Sequence, residues 1–369
     1  MPAAPDPFIA RRMRAQRLTA PMAADPAAVV AWFGAVQAQD YQGAKWALTL
    51  RAPALTDAQL DQALADGTIV RTHGPRPTWH FIARDDARFV LAAVGPRVQT
   101  RSQAMYRQYE IDAALMARVS RVLEKLLGGG KFATRAAIAK ALAAKAIEAS
   151  TVRLGLIMLW AELDQVVCSG PRQGKQFTYA LFDERVRGAA TLSPEDARTA
   201  LAARYVASHG PVTVNDFVWW SGLTVGEAKR AFEAVSPALR TEQMGEDTYW
   251  SSPTEPKATR RDVPLVHLMP NYDEYFIAYR DRRPTAAQPL PSKAIDPMDS
   301  YAHLLCVEGR FGGFWKRTVG SRAVAVQLLP YRTLNRTHLA AAKEAAGRYA
   351  AFLGLPLEFA CGQPRHETP

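Results

Sequence analysis

The chain has 369 residues, 48% of them hydrophobic, and Lys plus Arg outnumber Asp plus Glu by 46 to 35, for a net charge of +11. That length supports about two to four compact units, and the basic surplus, dominated by Arg, suits a polyanionic partner whose phosphates and base edges match the guanidinium fork. Cys168, Cys306 and Cys361 lie far apart, the histidines lack metal-ligand spacing and no long apolar run occurs, so a disulfide framework, a zinc site and a membrane span are excluded and a cytoplasmic chain is expected.

The N-terminal stretch carries Arg11, Arg12, Arg14 and Arg17 but no hydrophobic secretory core, and it includes prolines and Asp6. It reads as the first basic helix of the fold rather than a targeting peptide. Beyond it the order helix, helix, helix, hairpin recurs three times. The first copy predicts helices near 27–37, 41–51 and 57–66, stopped by Gly67, then strands over 68–72 and 78–83. His73-Gly74-Pro75-Arg76-Pro77 joins the strands, and its glycine and prolines require a turn. Val29, Trp32, Phe33 and Val36 recur at helical spacing, giving the first helix one buried face. It runs into Gln37 and Gln39. On an unbroken helix those two would diverge by roughly 200°, whereas in an extended or helix-terminal backbone they share a side. Asp40 is a good N-cap for the next helix, so a break is expected here. Spacing alone favours glutamines that cap helix ends and face solvent.

In the second copy an amphipathic helix from Asp112 stops at Gly128-Gly129-Gly130, Thr134 caps a short helix through Leu142, and Ser150-Thr151 opens a third. Its hairpin pairs 165–168 with 176–181. In the third, Ser193-Pro194-Glu195 starts a helix that runs to His209-Gly210, Thr213 caps the next, and Thr224 with Glu227 forms a capping-box pattern. The last hairpin pairs 238–243 with 248–251. A three-helix bundle followed by a two-stranded ribbon is the winged-helix variant of helix-turn-helix. Arg71, Arg76, Arg172 and Lys175 on the first two ribbons suit phosphate contact. The third ribbon is acidic at Glu246 and Asp247 and is not expected to touch nucleic acid. A protein-interaction scaffold is the alternative use of such bundles.

A linker over 252–262 marks a boundary, and beyond it the periodicity alternates. Strands are expected over 265–269, 301–307, 313–319 and 323–329, then a helix over 337–353 and a strand over 357–360. The proline-rich stretch 283–297 reads as a long surface loop. The fold class is therefore mainly α with α+β character, divided into units 1–110, 111–190, 191–255 and 260–369.

Several local patterns occur together. They are Val36-Gln37-Ala38-Gln39-Asp40, Thr78-Trp79-His80, and Ser208-His209-Gly210-Pro211 ahead of Asp216 and Trp220-Ser221-Gly222. Met269-Pro270-Asn271-Tyr272-Asp273-Glu274-Tyr275, followed by Tyr279-Arg280-Asp281-Arg282, and Gly313-Phe314-Trp315-Lys316-Arg317 complete the set. In this order, from Arg14 to the C-terminal strands, the chain resembles the AlkZ-like tandem winged-helix DNA glycosylases, relatives of bacterial crosslink-repair glycosylases. The resemblance implies three winged helices plus a C-terminal β-barrel-like unit, a cleft around double-stranded DNA and a nucleoid-associated bacterial protein without cofactor or metal. In that family a Gln-x-Gln pair does the chemistry, and Gln37 and Gln39 match it. The family often has Arg-Gly-Thr before the wing histidine, whereas Arg76-Pro77-Thr78-Trp79-His80 stands here.

Hydrolysis of an N-glycosidic bond ordinarily uses two carboxylates. A carboxamide does not ionise near neutral pH, but its carbonyl oxygen orients a water and faces a developing sugar cation. That suffices when the base is already activated, as in an alkylated, cationic purine. Other candidates carry two readings each. Asp40 is a helix cap or an active-site acid, and His80 is a packing residue or lies in the cleft. Asp273 and Glu274 bind a cationic base, or anchor Arg280 or Arg282, which are themselves candidates for DNA contact. Lys316 and Arg317 are a phosphate clamp or a solvated strand end. The competing function is a non-catalytic winged-helix regulator, but regulators usually carry one winged helix per chain and dimerise. Three unlike copies fit a monomer.

Overall fold

The computed structural model describes residues 7–253, 263–286 and 303–363. Helices predominate among them, with four small sheets. The N-terminal helix Pro7–Ala15 buries Phe8, Ile9 and Met13, and its Arg12 guanidinium lies 3.7 Å from the Tyr279 ring centroid.

The first copy begins with the helix Pro26–Phe33, capped by the Asp25 side chain. It ends four residues earlier than periodicity predicts. Gly34 adopts a φ of +79°, where side chains are disfavoured, and the chain leaves the helix extended. Val36–Gln37 then becomes a short strand against Trp79–Ala83, with Gln37 opposite His80. Asp40 caps Tyr41–Arg51 by accepting the Gly43 N–H, and a Thr56/Gln59 capping box starts Asp57–Asp66. Ile69–His73 and Trp79–Ala83 form the hairpin.

The second and third copies repeat this order. Ala113–Leu127, the short strand Ala133–Thr134, Arg135–Ala143 and Thr151–Leu163 precede the hairpin Val167–Ser169 and Thr178–Leu181. Pro194–His209, Val214–Ser221 and Val225–Val235 precede Arg240–Met244 and Asp247–Ser251. Here a single bridge between Val212 and Trp250 replaces the short strand. In every copy a short strand or bridge lies between the first two helices; the N-cap residue stands at its end in the second and third copies and three residues past Gln37 in the first. The geometry of the first copy fixes where Gln37 and Gln39 sit.

The helix Arg84–Gln108 has no counterpart in the sequence reading, because Gly95-Pro96 falls at its middle and proline removes an internal hydrogen bond. Its length links two of the three cores: Phe89 and Val90 pack among residues of the third copy, and Tyr106 packs into the second. The third core joins the first copy to the C-terminal sheet, with Trp46, Leu268, Phe314, Trp315 and Tyr349 in one cluster.

The C-terminal unit is an open five-stranded sheet rather than a barrel. Its spatial order is Leu357–Cys361, Val324–Pro330, Arg310–Val319, His303–Val307, Val266–Met269, and the first pair is parallel. The first and last strands are not hydrogen-bonded to each other. Five strands are few for closure, and Arg336–Leu353 covers the sheet instead. Most of the expected linker 252–262 and of the loop 283–297, and the start of the strand expected at 301, lie outside the described residues. Among the described residues no helix is long and apolar enough to cross a membrane and no cluster of metal-ligating side chains occurs.

Candidate active site

Val36–Gln37 is a short strand, the chain bends at Gln39 and Asp40, and Ala38 between the two glutamines is buried in the core. The Ala38 N–H donates to the Trp79 carbonyl at 2.7 Å, which fixes the register. Gln37 is 8% exposed and Gln39 is exposed. Neither glutamine is a helix cap. The two amides have unlike surroundings. Gln37 Oε1 accepts from Arg76 Nη2 at 3.3 Å, while Gln39 Oε1 makes a long contact of 3.4 Å with the Trp79 N–H.

Beneath Gln37 lies a buried polar group that anchors it. Glu274 Oε1 accepts the Gln37 main-chain N–H at 2.8 Å, and its Oε2 accepts the Trp220 indole N–H at 2.9 Å. His209 Nε2 lies 3.6 Å from the same carboxylate, a contact rather than a good hydrogen bond. Burial works to raise the Glu274 pKa, but its donors and nearby histidines outweigh burial, and the net direction is downward. The carboxylate therefore stays ionised. Burial lowers the His209 pKa, and the facing Glu274 carboxylate offsets part of that.

His80, opposite Gln37, is fully buried and its pKa falls to about 4, first through burial and then through the Arg76 charge. Its Nδ1 pairs with the Thr78 carbonyl at 2.9 Å, which makes Nδ1 the protonated nitrogen, and Nε2 has no protein partner. Arg76 sits at the tip of the first hairpin with a φ of +62°. Burial lowers its pKa, and the Trp219 ring centroid is 6.0 Å from its guanidinium. Gly222 permits this approach: a Cβ there would stand 3.3 Å from Arg76 Cγ. Arg282 lies 5.4 Å from the same Trp219 ring.

A strip of alternating arginines and aromatic rings continues from the glutamines. Arg71 lies 4.4 Å from the Trp79 ring centroid and 4.6 Å from that of Phe177, and its Nε donates to the Ala38 carbonyl. Arg172 lies 5.1 Å from Tyr41 and 5.4 Å from Phe177. The second hairpin thus packs on the first copy, and Lys175 is exposed at its turn. Behind the strip, Glu162 of the second copy accepts the His73 main-chain N–H at 2.7 Å and contacts its ring at 2.9 Å.

The remaining candidates divide. Asp40 caps its helix and faces Arg317 at 3.4 Å, and Arg317 also donates to the Tyr349 hydroxyl at 2.6 Å. The Arg317 charge is thus turned inward, while Lys316 beside it is exposed. Asp273 does not pair with Arg280 or Arg282. It is fully buried in a two-bonded ion pair with Arg51, at 2.6 and 2.7 Å. Arg280 is exposed, and its main-chain N–H donates to Asp216 at 2.8 Å. Trp79, Phe177, Trp219 and Trp220 were not singled out as site residues from the sequence. The adjacent tryptophans of Val214–Ser221 were the available signal, since Trp219 remains 37% exposed.

The site is thus a pair of carboxamides, Gln37 on a short strand and Gln39 at the bend after it, backed by a buried carboxylate and bordered by arginines that lie over aromatic rings. A family model described as DNA glycosylase AlkZ-like matches residues 30–352. Among solved structures, the Streptomyces sahachiroi DNA glycosylase AlkZ is similar, with a TM-score of 0.76 and 19% sequence identity. The match covers 97% of this chain and 100% of that one. At that identity the likeness is one of fold. No curated protein matches the chain.

Proposed function

This chain belongs to the AlkZ-like DNA glycosylase family, and from that premise we propose that it is a monofunctional DNA glycosylase acting on alkylated, cationic purines in double-stranded DNA. The observation that carries the proposal is that the Gln37 and Gln39 carboxamides both meet the first hairpin, at Arg76 and at the Trp79 N–H, next to a strip of arginines and aromatic rings. We read the three repeated units as winged helices over 1–110, 111–190 and 191–255, followed by the sheet unit 260–369, in a monomer that grips one duplex. The helix, strand, helix, helix, hairpin order supports that reading. Arg71, Arg172, Lys175, Arg280 and Lys316 then contact phosphates.

The carbonyl oxygen of each glutamine has two lone pairs. Arg76 takes one on Gln37, and the other is available to a water. Gln39 Oε1, only weakly engaged by Trp79, holds the same water from the second side. The water attacks the anomeric carbon as the bond to the base breaks, and the electron pair of that bond neutralises the cationic purine. The partial negative charges of both amides face the sugar cation as it develops, and the proton of the attacking water passes to solvent. Glu274 is a positioning residue: it fixes the Gln37 backbone and, being ionised, adds a negative field beneath the site. Arg76 brings positive charge to the same spot, and the Glu274 carboxylate offsets it.

The test is release of free 7-methylguanine from methylated duplex DNA, followed by chromatography. Base release supports a glycosylase. Duplex binding without release supports a non-catalytic binding protein.

A further inference from the structure

A cavity of about 510 Å³ opens between the helix Tyr41–Arg51 and the C-terminal unit, and neither glutamine nor any arginine of the strip lines it. Its walls are mainly apolar, with Leu18, Trp46, Leu50 and Phe352, and its two nitrogen-rich side chains are His267 and Arg348. His267 stands on the edge strand Val266–Met269 and is 6% exposed, yet both of its ring nitrogens lack a protein partner. Buried polar atoms are almost always partnered, so an orphaned imidazole facing a cavity calls for an occupant. Burial lowers its pKa to about 3, so at neutral pH the ring offers one donor and one acceptor. The Trp46 indole N–H is already used by the Leu268 carbonyl at 2.6 Å. Arg348 supplies a positive charge, set against Glu344 one helical turn earlier.

We propose that this cavity binds a small, flat, apolar monocarboxylate, whose ring lies along Trp46 and Phe352, whose carboxylate pairs with Arg348 and whose hydroxyl or amide group hydrogen-bonds His267. The volume falls within the range of roughly 300–1,000 Å³ usual for small-molecule sites. Mostly apolar walls with two convergent polar groups select a ligand of that kind over a sugar or a nucleotide. The guanidinium fork matches a carboxylate with two parallel bonds.

The test uses the full chain with ¹⁵N-labelled histidine rings and 6-hydroxy-2-naphthoate as probe. With seven histidines in the chain, the His267 ring signal is identified by its disappearance in His267→Phe. The expected result is a saturable shift of that signal at one equivalent bound. Arg348→Gln raises Kd at least tenfold, as does replacing the probe by its neutral carboxamide, and His267→Phe abolishes binding. Arg348 is on the surface, so its variant tests the proposal even if His267→Phe folds poorly. No saturable His267 shift, or equal binding of acid and amide, or an unchanged Kd in Arg348→Gln, overturns it and leaves a water-filled seam.

Discussion

The Arg51–Asp273 pair ties the helix after the glutamines to the segment that anchors Gln37, and its removal is a sharp test of how the site is held. Arg51 is 1% exposed and Asp273 fully buried. Arg51 also donates to Gln16 Oε1 at 2.9 Å and to the Ala47 carbonyl at 3.0 Å, and Asp273 caps Glu274–Ile277 through the Tyr275 N–H. Asp273→Ala strands a buried guanidinium, which costs about 3–5 kcal/mol, and also removes a helix cap worth about 1 kcal/mol. Arg51→Met strands the carboxylate and costs a similar amount. The double variant strands neither charge, so it should be more stable than the sum of the singles by at least about 2 kcal/mol. Urea unfolding followed by tryptophan fluorescence measures all three. Additive losses, or a loss below about 1 kcal/mol for Asp273→Ala, would refute the reasoning.

Further consequences follow from the same geometry. Arg76→Gln removes a charged donor from Gln37 Oε1, and single-turnover base release should fall about tenfold or more, with duplex Kd changed less than threefold. Arg71→Ala deletes one cation of the strip; the slope of log K against log salt should shrink by about 0.9 if that guanidinium neutralises one phosphate. His80 should make stability pH-dependent. Its folded pKa of about 4 lies below the unfolded value of about 6.5, so the unfolded chain takes up the proton first. Stability is full above pH 6.5 and declines as pH falls toward 4, by about 2 kcal/mol at pH 5 from this residue. His80→Gln should flatten that part of the stability profile, read by urea titration at each pH.

What could be read in the sequence was local. Ser193, Thr134, Thr213 and Thr224 announced helix starts through side-chain chemistry that acts within three residues. The hairpins announced themselves by glycine and proline turns. Gln37 was harder, because the apolar spacing through Val36 continued a helical pattern that Gly34 had already ended. The anchoring of Gln37 by Glu274 joins residues 237 positions apart, and no local pattern encodes it. Asp273 and Glu274 are neighbours in sequence, yet one faces Arg51 and the other Gln37 and Trp220. Alternating apolar residues revealed the C-terminal strands but not whether the sheet closes, since closure depends on strand number, tilt and register. The Arg–aromatic strip is assembled from three separate segments, so spacing could not show it.

The most direct measurement is single-turnover release of 7-methylguanine by Gln37→Ala, Gln39→Ala and the double variant, with duplex affinity measured on the same preparations. The account predicts that each single variant loses excision by at least a hundredfold, that the double loses little more, and that Kd stays within a few fold. Wild-type rates in both single variants, or a fall in excision matched by an equal fall in binding, would contradict it.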